Sequence, residues 1–354
     1  MIPPLVEQIA DAVLYEGYLL YPYRSTAVKN RQRFNFGVVY PRAYREMQGE
    51  TEPFEMETQC LVEGGAMTEL VVKIRCLRLV QRTVGYLTHP LPEAPDPEDG
   101  AFIPAPSIEI NGQRYESWQE AAPCEMELPV VRLGELAGRA ERVEFPFSST
   151  RSIEPVADEA GRVAALIVRT QEPLECGVET GLERAQADLF RITVRISNRT
   201  PLSKGPAPSR EDVLGRSLLS AHTILRVRDG QFVSLLEPPA VYQGAVSSCR
   251  NAGTWPVLAG EAGDRHTMLS SPIILYDYPQ IAPESPGALF DGAEIDEILS
   301  LRILTLTDDE KDAMRRTDER ARRILERTEN LPPEHFAKLH GALRGLTTAR
   351  KEGS

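Results

Sequence analysis

The residues of this chain best suited to metal or redox chemistry are Cys249 and His266, which lie within a run of small residues, VSSCRNAGTWPVLAGEAGDRHTM. With an acid from Asp264 or Asp277, and Glu284 as a further oxygen donor, they could make a mixed N/S/O site of the kind that takes nickel, iron or zinc. Small residues also let backbones and ligands approach closely, so the same run is a candidate cleft wall. A packed glycine-rich loop capping a β body is the competing reading. The other histidines, His89, His222, His335 and His340, form no HxxxH, HxH or HExxH pattern. There is no GxSxG, no P-loop and no GxGxxG between a strand and a helix. Hydrolase, NTPase and dinucleotide chemistry therefore lack a local signature, and no cofactor is expected.

A second constellation has the composition of a recognition surface. It falls in SSPIILYDYPQIAPESPGALFDGAEIDEILSLRILTLTDDEK. Tyr276, Tyr278 and Phe290 supply aromatic anchors, and Asp277, Glu284, Asp291 and Glu294 supply a polar rim. Pro279, Pro283 and Pro286 restrict the loop before it binds, which lowers the entropy lost on docking. Tyr18, Tyr21, Tyr23 and Arg24 are expected beside it. The plainer reading is that the loop ties helices to a sheet. Asp291, Glu294, Asp296 and Glu297 also suit the first turn of a helix, where acids complement the dipole. A basic partner surface fits them better than a substrate.

These groups need elements to hold them. The chain has 354 residues, 42% of them hydrophobic and 26% charged, which is ordinary for a globular protein of more than one structural unit. A net charge of −12 argues against non-specific binding to nucleic acid or an anionic membrane. No apolar run is long enough to span a bilayer, and the N-terminus lacks the order of a secretory signal, so a cytoplasmic protein is expected. The five cysteines, spread out and never in a CxxC pair, fit reduced thiols.

Hydrophobic patterning predicts an α+β protein: a mainly antiparallel, β-sandwich-like body from about Gln32 to Tyr278 with a C-terminal helical segment from about Ala293. Leu5, Ile9, Ala12 and Val13 share one side of a leading helix that ends near Tyr15. Phe34, Phe36, Val38 and Tyr40 alternate as a half-buried strand, a better reading of this aromatic, basic segment than a nucleotide-stacking surface. Two further strands are predicted across Phe54 to Val84, turning at Gly64-Gly65, with Lys73 and Arg75 pointing outward and Cys60 and Cys76 inward. The proline-rich run from His89 to Pro106 reads as an exposed connection. Hairpin turns are predicted at Asn111-Gly112 and Asp229-Gly230, and Ser209 caps a short helix. The units expected are a β-rich domain over 1–202, a second β module and proline-rich loop over 203–290, and a helical segment over 291–354.

Two segments, YEGYLLYPYRSTAVKNRQRFNFGVVYP and the stretch from Ser270 to Lys311, resemble a family of uncharacterised bacterial proteins encoded beside uptake nickel–iron hydrogenase structural and maturation genes. The resemblance implies a non-enzymatic accessory, assembly or scaffold role, with a hydrogenase subunit or maturation factor as partner. The alternative is a metal-handling protein or enzyme with its site near Cys249 and His266.

Overall fold

In a computed structural model the described residues are 2–15, 36–136, 138–202 and 208–280, together with the helical positions Lys311, Arg315, Arg322, Leu325 and Glu326. The chain opens with α1 (Pro4–Leu14) and α2 (Arg42–Met47), then enters β1 (Glu55–Leu91), a strand of 37 residues. Next come β2 (Phe102–Ala105), β3 (Ser107–Ile110), β4 (Gln113–Glu116), β5 (Trp118–Glu127), β6 (Val131–Arg132) and α3 (Leu133–Leu136). They are followed by β7 (Ala140–Phe147), β8 (Thr150–Ala157), β9 (Val163–Gln171), β10 (Leu174–Gln186) and β11 (Leu189–Asn198). After α4 (Arg210–Leu214) come β12 (Leu219–Val233), α5 (Gln243–Ser247), β13 (Trp255–Leu258) and β14 (Thr267–Ser271).

The body is a mainly antiparallel, sandwich-like β structure with a few short helices, as the sequence predicts. Strand β1 is its spine. Its first part pairs with β11, its middle with β12 and β5, and its last part with β9 and β2. Because β12 pairs directly with β1, strands on both sides of the 203–210 linker belong to one twelve-stranded sheet. A bridge between Glu57 and Ala252 brings the start of β1 back against the lead-in to β13. The sheet thereby curls over itself, and Cys60, Val62, Ile74, Met126, Val178, Ile192 and Phe232 pack in one cluster between its facing parts.

Several elements follow the sequence closely. Helix α1 forms where predicted and buries Ile9 and Val13 of the expected face, but its stripe runs through Val6, Ala10 and Leu14, with Leu5 and Ala12 only half-buried. Asn111 (φ 52°) and Gly112 (φ 72°) form the left-handed pair of the β3–β4 hairpin, and Ser209 with Asp212 closes a capping box on α4.

Other expectations are corrected. Neither Gly64-Gly65 nor Asp229-Gly230 is a hairpin turn. Gly64 lies opposite Gly230 inside the β1–β12 ladder, where the register shifts between Gly64 and Glu69. The Thr68 side chain fills the space between the two glycines, its Oγ1 accepting from Gly65 N at 3.0 Å and donating to Asp229 O at 2.6 Å. A Cβ at position 64 would sit 2.4 Å from that oxygen, so the glycines give room for a bulge rather than reverse the chain. The predicted strand through Tyr40 is also absent from its described part. Residues 38–41 are consecutively buried, and only Val39 makes a bridge, to Leu218. The run ending at Pro106 is not all exposed connection, since Phe102–Ala105 pairs with β1 as an edge strand, where proline is tolerated.

Lys73 and Arg75 do not face water. Both are buried beneath α1, which sets Glu7 and Asp11 one helical turn apart over them. Lys73 Nζ lies 2.7 Å from Glu125 and 4.0 Å from Glu7, and Arg75 Nη2 donates to Asp11 at 2.5 Å. A helix seated over a row of cations lets both faces of β1 be buried from Val72 to Leu77. Of the expected C-terminal helical segment, Leu325 is fully buried and Arg322 pairs with Glu326 at 3.7 Å. Most of that segment lies outside the described residues.

Candidate functional site

Strand β14 runs out through Pro272 into the loop that carries the aromatic constellation. Ile273 and Leu275 turn inward and pack with α1 against Ile224 and Leu269. Between and after them, Ile274 and Tyr276 point to solvent, 75% and 86% exposed. The alternation of strand geometry persists past the last ladder bond, so two large apolar side chains are displayed on a fixed base.

That base is clamped by Asp277. Its Oδ1 accepts the Leu258 N–H at 2.8 Å and its Oδ2 accepts the Ser234 hydroxyl at 2.5 Å. The Ser234 oxygen in turn accepts from the N–H groups of Leu236 and Glu237, which ties in the chain after β12. The next residue, Tyr278, takes a left-handed conformation (φ 56°), donates its N–H to Leu258 O at 2.7 Å and packs against the core. Burial pushes its hydroxyl pKa up. The three described members of the constellation therefore divide their work: Tyr276 is displayed, Asp277 is a clamp, and Tyr278 is an anchor into the core. Glu284, Phe290, Asp291, Glu294, Tyr18, Tyr21, Tyr23 and Arg24 lie outside the described residues.

The structure engages Cys249 and His266 separately. Cys249 packs against the cluster of Leu61, Leu189 and Val233, its thiol 3.7 Å from Ala245 O, and burial raises its pKa while Arg191 pulls the other way. His266 is exposed, and its Nδ1 lies 2.6 Å from Asp264 Oδ1, the same oxygen that accepts the His266 N–H. Both oxygens of Asp277 are occupied by the clamp. Among the described residues no three His, Cys, Asp or Glu side chains gather as a metal-ligand set.

Two features carry no signal in the sequence. The first is a cavity of about 300 Å³ lined by Tyr40, Glu52, Glu55, Met56, Arg210 and Gly253 among others. Asn198 holds one of its lining residues in place, donating to Val39 O at 2.9 Å and also to Arg216 O at 2.8 Å while accepting from Thr200 N. Arg210 Nε donates to the Tyr40 hydroxyl at 3.1 Å. Burial raises the pKa of Tyr40 and of Glu55, against the opposing pull of Arg210 and Arg195 respectively. The cavity draws on four separate stretches, so no local motif could reveal it. The second feature is His222, wholly buried with Nδ1 3.0 Å from Ser220 O and no hydrogen-bond partner at Nε2. Desolvation, with Arg75 adding to it, lowers its pKa to about 4.

Fold and site together describe a curled, mainly antiparallel β protein with an apolar loop held out from a clamped base. No family model and no curated protein matches the chain. No helix among the described residues is long and apolar enough to cross a membrane.

Proposed function

We propose that this protein is a non-enzymatic accessory, assembly or scaffold protein for a nickel–iron hydrogenase, working in the cytoplasm and binding a hydrogenase subunit or maturation factor. The contact surface in this reading is the loop after β14, continued by Glu284, Phe290, Asp291 and Glu294 and flanked by the aromatic segment around Tyr18, Tyr21, Tyr23 and Arg24. The supporting observation is the outward display of Ile274 and Tyr276 from a base held by Asp277. Exposed large apolar groups on a pre-ordered backbone lose little entropy on docking and bury the kind of surface that dominates interface energy. The resemblance of the flanking segments to the hydrogenase-linked family supplies the identity of the partner.

The test is binding of purified hydrogenase subunits and maturation intermediates to the intact protein and to an Ile274→Asp, Tyr276→Ala variant. Both positions are highly exposed, so the variant should keep its thermal stability. Affinity for one of these partners should weaken by about 10-fold or more. Unchanged affinity in the folded variant would place the interface elsewhere, and no binding to any hydrogenase component would remove the assignment.

A further inference from the structure

Three thiols far apart in sequence meet in the core. Cys76 on β1 and Cys124 on β5 are direct cross-strand partners, close enough for each thiol to act on the other. Cys176 on β10 belongs to the same core cluster, close enough to act electrostatically on Cys76 and to be acted on by Cys124. They do not form a metal-ligand set. Their environments differ: Cys76 and Cys176 are fully buried, whereas Cys124 is half-buried at the edge of the core.

The register decides what kind of covalent link could form. Leu128 N donates to Val72 O at 3.1 Å, and bonded pairs alternate along an antiparallel ladder, so the Cys76–Cys124 pair falls in the bonded, wider register. Pro123, opposite Leu77, then falls in the non-bonded register, where its missing N–H costs this ladder nothing. Cα atoms in a bonded pair lie about 5.5 Å apart, within the disulfide range, but their Cβ atoms also lie about 5.5 Å apart, wider than the roughly 3.5–4.5 Å of a relaxed bridge, so a link here is strained and readily reduced. A cation is fixed nearby. Arg78, two residues on from Cys76 and on the same face, donates to Ser148 O at 3.2 Å and Glu172 O at 2.9 Å, and its guanidinium lies 5.1 Å from the Phe147 ring centre. The neighbouring Cys76 thiol, and after it Arg78, lower the Cys124 pKa, while the Cys124 thiol and burial raise that of Cys76. Cys124 is the half-exposed sulfur, open to a charged form and to a reagent, whereas Cys76 is fully buried and holds its proton.

We propose that Cys124 and Cys76 are a hydroperoxide-reactive dithiol that closes to a cross-strand disulfide, with Cys124 attacked first and Cys76 resolving. Cys124 gives up its proton, its thiolate attacks one peroxide oxygen, the O–O bond breaks, and the leaving oxygen takes up that proton and departs as water, or as an alcohol from an organic hydroperoxide. The Cys76 sulfur then attacks the Cys124 sulfenic acid, the S–S bond forms, and the departing hydroxide takes the Cys76 proton as a second water. The two sulfurs together give up two electrons to the peroxide. This inference is independent of the hydrogenase assignment.

The experiment is treatment of the reduced full-length chain with stoichiometric hydrogen peroxide, followed by thiol titration, intact mass and mapping of linked peptides. Of the five cysteines, three should remain free. The intact mass should fall by two hydrogens, a linked peptide should join Cys76 to Cys124, and dithiothreitol should reverse all of this. Cys249→Ser should behave like the parent, since Cys249 lies near Cys60 and this removes the other thiol pair. Cys76→Ser should leave a sulfenic acid at Cys124 that dimedone traps. Five free thiols after treatment, a link through Cys176 or between Cys60 and Cys249, or oxidation confined to Cys249 would overturn the proposal. The mapping of the unsubstituted protein decides the matter even where a variant fails to fold.

Discussion

Replacing Asp277 with Ala separates the clamp from the display. The substitution removes both acceptors that hold the loop, at Leu258 N and at the Ser234 hydroxyl. Leu258 is 3% exposed, so its N–H is left in a place where water does not readily replace the carboxylate. An orphaned buried donor costs about 1–3 kcal/mol, and loss of the second bond to a charged acceptor adds roughly 1 kcal/mol. The expected destabilisation is therefore about 2–4 kcal/mol. It should be read in urea unfolding and, locally, as faster amide exchange at Leu258 and Tyr278, whose N–H bonds close this corner. Asp277→Asn keeps one carbonyl oxygen for Leu258 and should lose about half as much. A variant whose unfolding free energy lies within about 0.5 kcal/mol of the parent, with unchanged exchange at Leu258, would refute the clamp.

Further outcomes follow from the core. His222 has its folded-state pKa depressed from 6.5 to about 4, so the unfolded chain binds more protons between those values. The stability tied to its neutral form is fully present above pH 6.5 and is lost as pH falls towards 4, by about 3 kcal/mol. Arg75, Asp11 and Glu125 face the ring, so the reading is the difference between the parent and His222→Gln across this window. Parallel stability–pH curves would show that His222 is not the group responsible. Gly85→Ala would place a Cβ 2.3 Å from Ile103 O in the β2 backbone. It should cost about 1–3 kcal/mol and free the Phe102–Ala105 edge, seen as raised amide exchange there, and an unperturbed edge would contradict the packing.

The sequence determined most of what depends on neighbours along the chain. Ile9 and Val13 at helical spacing mark α1, Asn111-Gly112 makes a hairpin, and the Ser209–Asp212 box opens α4, each through contacts within a few residues. The period-two pattern from Met56 to Val62 and from Leu70 to Cys76 showed which side of β1 faces the core. The sequence could not show that these runs are one strand. A Gly-Gly or Asp-Gly pair looks the same at a turn as at a bulge, and the choice was made by Thr68 filling the space between Gly64 and Gly230. Alternation likewise places Lys73 and Arg75 opposite the core without revealing that Glu7 and Asp11 cover them from a distant helix.

The candidate site divides in the same way. The sequence marked Tyr276, Asp277 and Tyr278 as a group, because their types are those of recognition surfaces. Only the tertiary structure separated the displayed ring from the clamp and the anchor, since that depends on where Leu258 and Ser234 arrive from other strands. The meeting of Cys76, Cys124 and Cys176 is likewise a product of strand order, and cysteine spacing carries no trace of it. Hydrogen-bond ladders and core packing join residues by register across the sheet, and register is set by the whole set of strands rather than by any one of them.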